Sequence, residues 1–174
     1  MNLVLIGYRA TGKSLVGALL SKRLKRPFLD TDELIQKEAD QTIPDIVATK
    51  GWDYFRRLEK GVVARVSALD QHIIATGGGV VLDPENTARL RKTGFLVWLK
   101  ADAATIKSRL AVDSSRPPLT GSDTVDEVSE VLHERLPAYR RAAHISIDTT
   151  NLSPAQIADS ILKQMPDLGR GGYI

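Results

Sequence analysis

Cysteine is absent from this chain of 174 residues, which removes disulfides, zinc–thiolate centres and thiol nucleophiles from consideration. Any metal must therefore be held by oxygen or histidine ligands. No apolar run approaches the length of a membrane span. Met1 leads straight into a short strand-like stretch without a charged leader or a long hydrophobic core, so no secretory signal is expected and the cytoplasm is the expected compartment. Internal repeats, composition breaks and long linkers are missing too, which argues for one domain over 1–166 with 167–174 as a loose, flexible tail. Strong charge bias is also lacking. A formal net charge of +3 suits anionic small molecules as well as it would suit nucleic acid. What is present is an ordinary globular composition, 43% hydrophobic and 26% charged, with enough chain for a sizeable core.

The stretch Gly7-Tyr8-Arg9-Ala10-Thr11-Gly12-Lys13-Ser14 fits G-x-x-x-x-G-K-[ST], the pattern of a phosphate-binding P-loop. Its context fits as well. Asn2-Leu3-Val4-Leu5-Ile6 reads as a buried parallel strand, and Leu15, Val16, Ala18, Leu19, Leu20 and Leu24 recur at helical spacing after the loop. Gly7 and Gly12 let backbone approach phosphate oxygens, the helix N-terminus supplies positive potential, Lys13 adds a movable charge and Ser14 offers a hydroxyl to Mg²⁺. Nucleotide binding follows from this; a substrate does not.

Further along, Pro27-Phe28-Leu29-Asp30 is a short strand whose carboxyl end carries Asp30-Thr31-Asp32 before a polar helix. That end is where α/β sheets bind ligands. A short helix from Thr42 to Gly51 and a longer one over 52–69, with Phe55, Leu58, Val62, Val63 and Val66 on its apolar face, precede the strand His72-Ile73-Ile74-Ala75. Thr76-Gly77-Gly78-Gly79 follows, then a helix opened by Asp83-Pro84, the strand Phe95-Leu96-Val97-Trp98-Leu99, and a helix over 103–111. Turn formers around Arg116 read as a mobile lid over about 112–124. A helix over 125–141 contains Pro137, which either kinks it or starts a second helix; Ile145-Ser146-Ile147-Asp148 and a last helix opened by Ser153-Pro154 complete the chain. The alternation predicts five parallel strands in a three-layer α/β/α domain.

Phosphoryl transfer asks mainly for positioning and charge neutralisation. Asp30 and Asp32, two apart at a strand end, can support a metal's water shell and reach an acceptor hydroxyl. Gly77, Gly78 and Gly79 bring bare backbone to a strand end, which suits close approach of a polar ligand. The strand ending at Ala75 has no acidic residue, so Asp30 has to take the duty of a Walker B aspartate. Arg56, Arg116 and Arg140 each read alone as surface charges, yet guanidinium forks match carboxylate and phosphate.

Taken together, the P-loop, Asp30-Thr31-Asp32, Phe55-Arg56-Arg57-Leu58-Glu59, Thr76-Gly77-Gly78-Gly79, Arg116-Pro117 and Tyr139-Arg140-Arg141 resemble the shikimate kinase family in order and spacing over nearly the whole chain. The resemblance implies ATP- and Mg²⁺-dependent phosphorylation of the shikimate 3-hydroxyl in chorismate and aromatic amino-acid biosynthesis, in a nucleoside-monophosphate-kinase-like fold with strand order 2-3-1-4-5. It implies that Lys13 and Ser14 serve phosphates and Mg²⁺, that Asp30 supports the metal through water, and that Asp32 holds the acceptor hydroxyl. Arg56 and Arg140 would grip the shikimate carboxylate, Gly77 to Gly79 would meet the substrate, Arg116 would enter from the lid, and Arg109 and Pro154 would lie near adenine. The expected partner is the small molecule alone, with a monomeric protein, no nucleic acid and no membrane. Two departures stand out: Arg9-Ala10 replaces a glycine common in the family's loop, and Asn151-Leu152 precede Pro154 where some members carry arginine. A gluconate-type kinase of the same fold, a nucleotide-binding module without turnover, and an RNA binder using Gly169-Arg170-Gly171-Gly172 are the alternative readings.

Overall fold

A computed structural model describes residues 1–112 and 125–166. Five parallel strands, β1 (Asn2–Ile6), β2 (Phe28–Asp30), β3 (Ile73–Ala75), β4 (Gly94–Lys100) and β5 (Ile145–Asp148), form one sheet in the order β2-β3-β1-β4-β5. Side chains alternate across it. Leu3, Leu5, Ile73, Val97 and Leu99 pack on one side against α1 (Lys13–Leu24) and α7 (Pro154–Gln164). Val4, Ile6, Ile74, Leu96 and Trp98 pack on the other against α3 (Ile43–Ser67), α4 (Pro84–Thr93) and α6 (Val125–Ala142). Both faces are covered, which is why β1 reads as an unbroken apolar run. Among the described residues no helix is long and apolar enough to cross a membrane.

Local chemistry explains the element ends. Gly12, in the left-handed region at φ 94°, starts α1, and Asp30 caps α2 (Thr31–Ala39) by accepting from the Asp32 N–H. Gly51, at φ 82° and ψ 169°, bends α3 between its two helical parts, as its position after a short helix predicts. Pro137 neither breaks α6 nor begins a new helix; Val125–Ala142 runs through it as one element. Ser153 and Gln156 form a reciprocal capping box at the start of α7, with Pro154 at its first turn. A smaller cluster of Tyr8, Ile106, Leu110 and Val128 joins the P-loop to α6 and to α5 (Ala103–Val112). The segment 113–124, with Arg116 and the lid reading, and the tail 167–174 lie outside the described residues.

Candidate active site

The P-loop lies at the carboxyl end of the sheet. A Cβ on Gly7, at φ 145°, would meet the Leu99 carbonyl oxygen at 2.3 Å, so only glycine fits there. Ala10 takes φ 60°, a left-handed conformation usually left to glycine. Lys13 Nζ donates to the Tyr8 carbonyl at 2.7 Å and Thr11 Oγ1 donates to the same oxygen at 2.7 Å, holding the loop closed on itself. Ser14 Oγ donates to Asp30 Oδ2 at 2.5 Å. Asp30 pairs in register with Ala75, so β2 places a carboxylate beside the end of β3, where β3 itself has none. Gly12, Lys13, Ser14, Asp30, Asp32 and Thr76 line a cavity of about 140 Å³.

A second cavity, of about 280 Å³, adjoins it and is walled by Arg9, Asp32, Trp52, Phe55, Arg56, Glu59, Arg135 and the three glycines. Asp32 lines both. Arg56 donates to Glu59 Oε2 at 2.6 Å and lies over the Trp52 and Phe55 rings at 5.5 and 5.3 Å, which fixes the plane of its guanidinium. Glu59 is only 1% exposed. Burial pushes its carboxyl above the usual range, Arg56 opposes this, and the nearby Asp32 charge adds to it.

The triple glycine has a packing reason the sequence did not disclose. A Cβ on Gly77 would fall 2.8 Å from Asp32 Oδ1 and 2.9 Å from Glu59 Oε1, and one on Gly79 would fall 2.4 Å from Arg56 Nη2. The bare backbone thus leaves room for the charged side chains as well as for a ligand.

Arg140 requires a correction. It is exposed and lines a different surface depression, with Trp98, Lys100 and His144, and does not meet Arg56. In a helix, five residues turn through about 140° beyond a full circle, so Arg135 and Arg140 cannot face the same cleft. Arg135 takes the wall position, and Tyr139, one turn further on the same face, is buried behind it. Reading Leu136-Pro137-Ala138-Tyr139-Arg140 on a 3.6-residue period would have found this. Arg9, read from the motif as a cofactor-binding residue of the P-loop, turns its side chain into the wall of the larger cavity, where it is buried over the Tyr8 ring at 5.9 Å. Arg109 Nη1 donates to the Ala10 carbonyl at 3.2 Å and Nη2 to the Thr149 carbonyl at 2.9 Å, tying the P-loop to the segment that leads into Pro154.

A P-loop on a five-stranded parallel sheet of this order, opening through one shared aspartate into a cavity walled by arginines, defines a kinase that phosphorylates a small anionic alcohol. A family model described as shikimate kinase matches residues 9–166. Shikimate kinases from Symbiobacterium thermophilum and Syntrophus aciditrophicus are 42% and 41% identical, over 99% and 94% of this chain and 100% and 90% of theirs. The structure of shikimate kinase from Acinetobacter baumannii in complex with shikimate is 31% identical, with a TM-score of 0.89 over 93% of this chain and 90% of that one. A gluconokinase from Sinorhizobium meliloti, 17% identical with a TM-score of 0.57 over 93% of this chain and 89% of that one, shares the fold. The chain belongs to the shikimate kinase family and is a phosphotransferase acting on shikimate.

Proposed function

We propose that the smaller cavity takes the phosphates of ATP, that the larger takes shikimate, and that the γ-phosphoryl group passes to the shikimate 3-hydroxyl past Asp32. The observation that carries this is the place of Asp32 in the walls of both cavities. Its carboxylate orients the acceptor hydroxyl and accepts its proton as the new P–O bond forms and the bond to the ADP oxygen breaks. Lys13 exchanges its bond to the Tyr8 carbonyl for phosphate oxygens, and the P-loop N–H groups and the start of α1 take up the remaining charge. Arg56 and Arg135, which line the same cavity, hold the shikimate carboxylate and turn its ring so that the hydroxyl faces Asp32.

The Ser14–Asp30 pair fits Mg²⁺, a hard cation that uses one or two protein oxygens together with water and phosphate oxygens. Ser14 would ligate it and Asp30 would hold one of its waters, while the ion when bound neutralises phosphate charge. Arg109 and Pro154 bound the adenine side, and the chain acts as one catalytic domain, as a monomer in the cytoplasm. Release of ADP on a panel of shikimate, quinate and gluconate tests the reading. Shikimate should be turned over far faster than the others; equal turnover of gluconate would move the assignment to a gluconate-type kinase. Asp32→Asn should keep ATP binding and lose turnover by about a hundredfold or more. A change confined to ATP affinity would show that Asp32 does not serve the acceptor.

A further inference from the structure

Tyr139 is 1% exposed, and its ring stacks on Trp98 with centroids 5.4 Å apart and planes at 14°. Its hydroxyl donates to the Gly78 carbonyl at 2.6 Å. Burial pushes the phenol up to about 12, and Arg135, within hydrogen-bonding reach of the phenol oxygen, opposes that rise. The phenol therefore stays a neutral donor at any working pH. Gly78 is pinned from its other side too: a Cβ there would lie 3.4 Å from the Arg9 N and 3.4 Å from the Gly7 carbonyl oxygen. In a planar trans peptide the carbonyl and the following N–H point in opposite directions. Fixing the Gly78 carbonyl on Tyr139 thus fixes the Gly79 N–H on the side away from the phenol. Gly79 starts the 3₁₀ turn Val80–Leu82, so this N–H has no acceptor within the turn, and the residue packs directly against the Arg56 guanidinium.

We propose that Tyr139 is a positioning residue of the acceptor site: it ties α6 to the Gly78 carbonyl and aims the Gly79 amide, beside Arg56, at the acceptor. The same helix face presents Arg135 one turn earlier, so one rigid element sets both a charged and a backbone donor. This rests on the larger cavity being the shikimate pocket.

Tyr139→Phe keeps the ring and its stack but removes the donor. Steady-state kinetics should show the KM for shikimate raised about tenfold, as expected when a carbonyl loses a buried donor and its peptide is free to turn. The KM for ATP should stay within about twofold of wild type. Trp98→Phe loosens the stack and leaves the hydroxyl; it should lower the thermal midpoint with the shikimate KM within about twofold. In ¹H–¹⁵N spectra the Gly79 amide should shift on adding shikimate to wild type and shift much less in Tyr139→Phe. An unchanged shikimate KM in Tyr139→Phe, an equal rise in both KM values, or an equal effect from Trp98→Phe would overturn the positioning role. Wild-type turnover of shikimate is measured alongside. Its absence would refute the pocket assignment, whereas normal wild-type turnover with an unaltered Tyr139→Phe refutes the positioning role alone.

Discussion

Glu59, Trp52 and Phe55 hold the Arg56 guanidinium in one plane before any ligand arrives, which suits the carboxylate contact proposed for it. Burying Glu59 to achieve this is costly, and the cost has a pH signature. Its carboxyl titrates above its ordinary 4.5 in the folded protein, so the native state binds more protons than the unfolded chain between the two values. Stability then falls as pH rises from 4.5 through the folded value. Glu59→Gln should flatten that part of the profile, seen in thermal midpoints taken across the acid range, while weakening shikimate binding because Arg56 loses its charged anchor. A midpoint that falls more steeply with pH in the variant than in wild type would contradict this. At the P-loop, Lys13→Ala should leave a folded protein with turnover reduced roughly a thousandfold, the scale of losing a charge aimed at the transferring group. Circular dichroism and ADP release together check it, and near-normal turnover by a folded variant would remove Lys13 from the chemistry.

Helix α3 brings Ile43 and Pro44 from before its bend, and Trp52, Phe55, Arg56 and Glu59 from after it, to the same cavity. Gly51 makes this possible with a backbone conformation close to glycine-only, and nothing lies within 4 Å of where its Cβ would be. Gly51→Ala meets strain without a clash, so it should cost about 1–3 kcal/mol of stability by denaturant unfolding. It should also raise the KM for shikimate more than that for ATP. No loss of stability would mean that the bend relaxes freely. The bend was legible from the glycine between a short capped helix and a longer amphipathic one. The five alternating strands and helices, the P-loop and the Asp30 and Asp32 positions were legible too, because strand–loop–helix alternation and acids at a strand end are local patterns, whereas the strand order came only with the family resemblance. What was not legible is which side of a helix faces inward. Tyr139-Arg140-Arg141 matches the family as a string, but a string does not say that Tyr139 is buried on Trp98 and that Arg140 therefore turns away. Arg9 escaped for a related reason, since a loop motif specifies backbone and leaves side-chain direction to the tertiary packing.

Seen across the molecule, the acceptor site exists only because the sheet order places α3 and α6 on the same face, over β3, β1 and β4. Arg56 and Arg135 are far apart in sequence and on different helices, so their meeting in one cavity is a consequence of topology, and the proposed grip on one carboxylate rests on it. Truncating either to Ala should cost about 2–5 kcal/mol in shikimate recognition, the range for losing one partner of a desolvated charge pair. Arg140→Ala should cost less than about 0.5 kcal/mol, as a surface substitution outside the cleft. Comparing shikimate with its uncharged amide on wild type, Arg56→Ala and Arg135→Ala gives the decisive coupling. Removing the arginine or removing the acid charge breaks the same contact, so the two losses should combine to markedly less than their sum, as measured from kcat/KM. For Arg140→Ala the losses should simply add. Additive losses at Arg56 and Arg135, or coupling at Arg140 instead, would mean that the carboxylate is read from the other face of α6, and the wall of the larger cavity would need another ligand.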